Sequence, residues 1–188
     1  MHVQIQTTPN PATLMFQPGR PVSPDATHDF QTPEAAERSP LARALFGLGD
    51  VTGVFLGSDF VSVTRDPAGS DWAALKPDIL GIIVDHFASG APVVMADDNA
   101  PAAAPAIDED PETADIRKQI VELLDDRIRP AVAADGGDIV FHGYEEGIAY
   151  LRMQGACAGC PSSTATLKNG IENLLRYYVP EVTEVRAI

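Results

Sequence analysis

Between Ala96 and Pro111 the chain reads Ala-Asp-Asp-Asn-Ala-Pro-Ala-Ala-Ala-Pro-Ala-Ile-Asp-Glu-Asp-Pro. No other stretch limits the fold as strongly. Alanine, proline and carboxylates cannot bury enough apolar area to offset the entropy of ordering, so a disordered linker is expected over 96–112. It divides the 188 residues into 1–95 and 113–188, each the size of a small domain. Each half must then close a core of its own. The formal charge is −14, and residues 97–112 hold six acids and no base, so much of the excess sits in the tether. Neither flank offers a basic face for phosphate, which makes nucleic acid a poor partner.

The first half reads as an α+β unit. Val3, Ile5 and Thr7 alternate with Gln4 and Gln6 as a strand does, and Pro9 and Pro11 end it. Leu14-Met15-Phe16 is a second short strand. Residues 17–40 hold five prolines and little periodicity and read as mostly loop. Ser39-Pro40 opens a helix with a capping hydroxyl and a first-turn proline. Val51–Leu56 and Phe60–Val63 form a hairpin about Gly57-Ser58-Asp59. Asp71 caps a helix running from Trp72 towards Ser89, with Ile79, Ile83, His86 and Phe87 on one face and Pro77 expected to split it. The unit ends near Val94.

The second half reads α-β-β-α-β. An amphipathic helix covers Thr113–Arg129, with Ile116, Ile120, Leu123, Leu124 and Ile128 at the 3.6-residue period and Pro130 as its stop. Asp135-Gly136-Gly137-Asp138 is a tight turn, Ile139–Tyr144 and Ile148–Met153 a hairpin, and Ser162–Tyr178 a helix burying Leu167, Ile171, Leu174 and Leu175. Val182–Val185 is a last strand. The expected architecture is two small α/β sandwich domains joined by the acidic linker.

Between the hairpin and the last helix lies Gly155-Ala156-Cys157-Ala158-Gly159-Cys160-Pro161, which contains both cysteines of the chain. A turn feeding a helix N-terminus places two thiols where the helix dipole favours thiolates. Cys157 and Cys160 are therefore the candidate ligands. Four readings of the pair compete. Incidental thiols fit poorly with flanking glycines and a helix start. A thioredoxin-like redox pair follows a strand in a βαβ unit, whereas this strand belongs to a hairpin and no aromatic precedes Cys157. Zinc takes four ligands, and His2, His28, His86 and His142 are not paired at i+3 to i+5, so a zinc ion would be shared between two chains. An iron–sulfur cluster takes about four thiolates, which two chains supply together. Cysteines on a turn at a subunit junction also suit a cluster that leaves. His86 and His142 read as packed or surface side chains. Asp135 and Asp138 read as turn carboxylates bonded to nearby backbone.

Ala133-Ala134-Asp135-Gly136-Gly137-Asp138, the cysteine turn continued through Ser162-Ser163-Thr164, and Gly170-Ile171-Glu172 together resemble the NifU C-terminal domain of Nfu-type iron–sulfur cluster carriers. Thr8-Pro9-Asn10-Pro11-Ala12-Thr13-Leu14-Met15-Phe16, Ser39-Pro40-Leu41-Ala42 and Val51-Thr52-Gly53-Val54-Phe55 resemble the N-terminal domain of the same family. The resemblance implies a [4Fe–4S] carrier, with [2Fe–2S] as the alternative, that is not an enzyme. It implies a homodimer on cluster binding, an upstream assembly scaffold as donor and apo-proteins as clients. Only Cys157 and Cys160 match the family's ligands. The cysteine-free first half is assigned to docking. A thiol–disulfide oxidoreductase or a zinc protein remains the alternative for the same pair. No apolar run approaches the roughly 20 residues that span a bilayer. The opening Met1-His2-Val3-Gln4-Ile5 matches no signal or transit pattern, so a bacterial cytoplasmic protein is expected.

Overall fold

The computed structural model describes residues 2–95, 111–158 and 161–188. The expected linker lies outside these, except that Pro111 and Glu112 already belong to the helix expected from Thr113.

In the first half, β1 (Gln4–Thr7), β2 (Thr13–Gln17), β3 (His28–Phe30), β4 (Val51–Leu56) and β5 (Val61–Arg65) build an antiparallel sheet in the order β1-β2-β5-β4-β3. Helices α1 (Pro40–Phe46) and α2 (Trp72–Ser89) pack on it. Leu14, Phe16, Val54, Leu56, Val61 and Val63 point into that core with Leu41, Leu45, Ile79 and Ile83. Ser39 caps α1 through Ala42 N (3.1 Å) and donates to Val93 O (2.6 Å), which ties the helix start to the end of the unit. Asp71 caps α2 through Ala74 N at 3.0 Å. Pro77 does not split α2, which runs unbroken. The segment expected to be loop holds the three-residue β3 and a 3-10 turn, Ala35–Arg38. β3 is pinned by antiparallel pairing with β4, a tertiary cause that leaves no periodic trace in three residues.

In the second half, α3 (Pro111–Leu123) does not stop at Pro130. It passes through a π-helical turn, Leu124–Ile128, into α4 (Arg129–Ala134). Proline lacks an N–H and crowds the carbonyl four residues back; a wider turn just before it absorbs both effects. β6 (Gly137–Glu145) and β7 (Ile148–Gly155) form the hairpin. β8 (Glu184–Ala187) adds parallel to β7 after α5 (Pro161–Tyr178), giving the order β6-β7-β8. β8 starts two residues later than expected. Ile120, Leu124, Ile139, Leu151, Ile171, Leu175 and Val185 make the core, with Leu167 at its edge. The α-β-β-α-β order expected from the sequence is therefore observed, with helices on one sheet.

The two halves also touch. Along β2, Leu14, Met15 and Phe16 are all buried, so both faces of the first sheet are covered. Register places Met15 opposite Ser62 and Ser62 opposite Phe55, a row across β2, β5 and β4 on the face away from α1 and α2. Asp29 of β3 extends that row beside Phe55. Met15, Phe55 and Phe60 cluster with Ala133 of α4.

Candidate functional site

The two motifs singled out separately in the sequence form one site. Gly137 pairs with Gly155 at the open end of the β6–β7 hairpin. This brings the Gly136 turn against the cysteine turn, and Ala156 N donates to Gly136 O at 3.1 Å. Gly136 (φ 80°) and Gly155 (φ 63°) both adopt left-handed backbone, which explains glycine at each. Ala158 N closes back on Gly155 O at 3.1 Å, and Thr164 of α5 donates its hydroxyl to Cys157 O at 3.0 Å.

Cys157 is buried at 6% exposure and packs in the second core. A Cβ on Gly137 would meet its Sγ at 2.6 Å, so the sulfur fills the space that glycine leaves. This corrects, for Cys157, the expectation that the helix start favours a thiolate. Burial, then Asp135 and Asp138, push the Cys157 thiol up to about 12. Its place in the core gives this turn cysteine a packing role as well. Cys160 lies outside the described residues. Among the described residues no group of three or more His, Cys, Asp or Glu could hold a metal ion. His142 is exposed on β6 and His86 lies half-buried on α2, as surface or packed side chains would.

Asp138 is more than a turn carboxylate. Its Oδ1 accepts from Ile139 N at 2.7 Å, as expected of a turn residue, while its Oδ2 accepts from Thr27 Oγ1 of the first half at 2.8 Å. Arg129 Nε stands 3.6 Å from Oδ1 and donates to Ile139 O at 3.2 Å.

The description NifU-like domain matches residues 120–186, and the description scaffold protein Nfu/NifU N terminal matches residues 3–90. The human "NFU1 iron-sulfur cluster scaffold homolog, mitochondrial" is 50% identical over 188 residues, which is 100% of this chain and 72% of that protein. The chain belongs to the Nfu family of iron–sulfur cluster scaffold proteins. Two further relatives agree with this Nfu assignment. "NifU-like protein 5, mitochondrial" of Arabidopsis thaliana is 49% identical, covering 98% of this chain and 67% of its own length. The Drosophila ananassae homolog is 46% identical, over 100% of this chain and 64% of its own length. All three names place those proteins in mitochondria rather than in the cytoplasm expected here. Among the described residues of this Nfu chain, no helix is long and apolar enough to cross a membrane.

Three residues at the site were not singled out in the sequence: Asn10, Ser62 and Thr27 of the first half. Asn10 is 5% exposed and donates from Nδ2 to Ala158 O at 3.3 Å. Ser62 is buried and donates from Oγ to Gly136 O at 2.6 Å. Their only signal in the sequence is a polar residue among apolar strand and turn neighbours, which does not distinguish an interface from solvent.

Proposed function

We propose that this chain is an iron–sulfur cluster carrier that holds a [4Fe–4S] cluster between two copies, through Cys157 and Cys160 of each, and hands it to apo-proteins. The ligand count carries the reading. Cys157 and Cys160 are the only thiols of the chain, and no alternative ligand group exists among the described residues. A cluster takes about four protein ligands, so two chains complete the set that one cannot. The cluster is cargo rather than a resident cofactor, and the carrier turns over no covalent bond of a substrate, so it is not an enzyme. An upstream assembly scaffold supplies it. Residues 113–188 form the cluster-binding domain, 96–112 the linker and 1–95 a docking domain without thiols.

The residues around Cys157 set the terms of loading. Burial, and then the charges of Asp135 and Asp138, keep the apo thiol protonated, so ligation must displace that proton, and loading is favoured by rising pH.

Anaerobic reconstitution with iron and sulfide, followed by absorption and Mössbauer spectra and by sedimentation, tests the reading. One cluster per two chains, with the Mössbauer signature of [4Fe–4S], is expected. A [2Fe–2S] spectrum changes the nuclearity and keeps the carrier. A colourless, zinc-loaded protein, or a reversible dithiol/disulfide couple without iron, overturns it.

A further inference from the structure

We propose that the sheet face of the first half carrying Met15, Ser62 and Phe55 is a docking face for the chain's own cysteine turn. Docking holds the apo chain closed, and a second chain's turn can meet this one only after the face lets go. The contacts bracket Cys157 in sequence. Phe55 lies against Gly155 on one side, where a Cβ would meet the ring at 2.9 Å. Asn10 holds the carbonyl of Ala158 on the other. Ser62 holds the carbonyl of Gly136 beneath the turn, where a Cβ would meet its Oγ at 2.8 Å. The Gly155 backbone and Arg152 both favour the charged form of the Asp29 carboxyl, and Thr27 donates to Asp138.

These contacts have the character of a built interface. Two of the three residues aimed at the turn's backbone, Asn10 and Ser62, are buried polar groups, and their bonds across the interface use hydrogen-bonding capacity that burial would otherwise waste. The face is apolar at Met15, Phe55 and Phe60, and its own domain's core lies on the opposite side of the sheet. An isolated first domain would leave those three side chains in water. The occupant that covers them is the segment bearing the candidate ligand. A cluster bridging two chains needs the turn to face a second turn, and a sheet resting on both flanks of Cys157 competes with that approach. The competition can be overcome, because the interface is partly polar, as mobile interdomain contacts are.

Ser62→Glu in the full chain is the test. It places a charge between Met15 and Phe55 on the docking face and leaves the core-facing side chains of β5 untouched. Asn10→Ala is the milder companion, removing the bond to Ala158 O, and the local one from Ala12 N, without adding bulk. Two readouts concern the apo chain and do not depend on any cluster: the scattering radius of gyration and hydrogen exchange of the backbone at 154–158. Expansion of the variant and at least tenfold faster exchange at 154–158, with the β2, β4 and β5 amides still protected, are expected. The third readout rests on the carrier reading: initial loading by iron and sulfide should rise severalfold in Ser62→Glu, with final stoichiometry unchanged. Wild-type exchange at 154–158 already as fast as the variant's, or loading that is equal or slower in an expanded variant, overturns the proposal. If neither protein takes up a cluster, the carrier reading fails while scattering and exchange still decide whether the face docks the turn.

Discussion

Gly137 has Cys157 Sγ, Gln154 O and Cys157 N within 3.0 Å of where a Cβ would stand. Two of those atoms are backbone of the paired strand and turn, which cannot step aside. Gly137→Ala is therefore expected to cost about 1–3 kcal/mol by overpacking, read as a lower urea midpoint at unchanged slope. Cys157→Ser swaps a buried sulfur for a hydroxyl that must find a partner, and a loss of about 1–3 kcal/mol is expected, with Cys157→Ala milder. Either serine variant, at Cys157 or Cys160, leaves half the thiolates of a bridged pair and should abolish stable loading in thiol-free buffer, measured as iron and sulfide per chain. Asp29 gives the pH signature of the closed contact. Burial raises its carboxyl, against the bonds from Gln31 and the Gly155 backbone and the charge of Arg152. A raised folded value means the stabilising contribution is complete below the ordinary carboxylate pKa near 3.8 and is lost as pH rises through the raised value. Asp29→Asn should remove that acid-side dependence and steady the contact at neutral pH, seen by thermal melts across pH 3 to 7.

Helix caps separate what a local rule can foresee from what packing adds. Asp71 and Ser39 are the same kind of cap in sequence, a short polar residue before a helix. Asp71 is exposed and its loss to alanine is expected to cost about 1 kcal/mol. Ser39 is wholly buried and also bonds Val93 O, so Ser39→Ala strands a carbonyl as well and should cost about 2 kcal/mol or more. Denaturant melts of the two variants side by side check the order. Both helix starts, the β4–β5 hairpin and the β6–β7 hairpin were legible because caps, tight turns and apolar period are local properties. β3 was not, because three residues carry no period and pairing with β4 alone makes them a strand. Nor was the run through Pro130. Sequence rules stop a helix there, whereas the π-helical turn at Leu124–Ile128 carries the chain on and delivers Ala133 to the first sheet and Arg129 to Asp138. The cysteine turn stood out in the sequence as a candidate site. The burial of Cys157 was not legible there, since its depth comes from Gly137 across the hairpin.

The whole molecule poses the question that neither half answers alone. The second face of the first sheet is not evident within either half, because Ser62 alternates with Val61 and Val63 as a solvent-facing residue would, while Met15 and Phe55 sit in unbroken apolar runs that name no face. Only register shows them as one row, and only the fold sets the Gly136 and cysteine turns on that row. Cutting the chain in the 96–112 run tests both the modularity and the closure. Residues 113–188 hold a core with its own sheet and helices, so the fragment is expected to fold, with a circular dichroism spectrum of mixed helix and strand. It keeps both cysteines, so it should take up one cluster per two copies. It lacks the docking face, so it should load faster than the full chain while passing the cluster more slowly to those clients that the first half docks. Stopped-flow absorbance for loading and activation of an apo-protein for transfer measure the two rates separately. A fragment that folds but loads no faster than the full chain removes the closed state. One that transfers equally fast to every client removes docking and leaves covering the turn as the work of the first half.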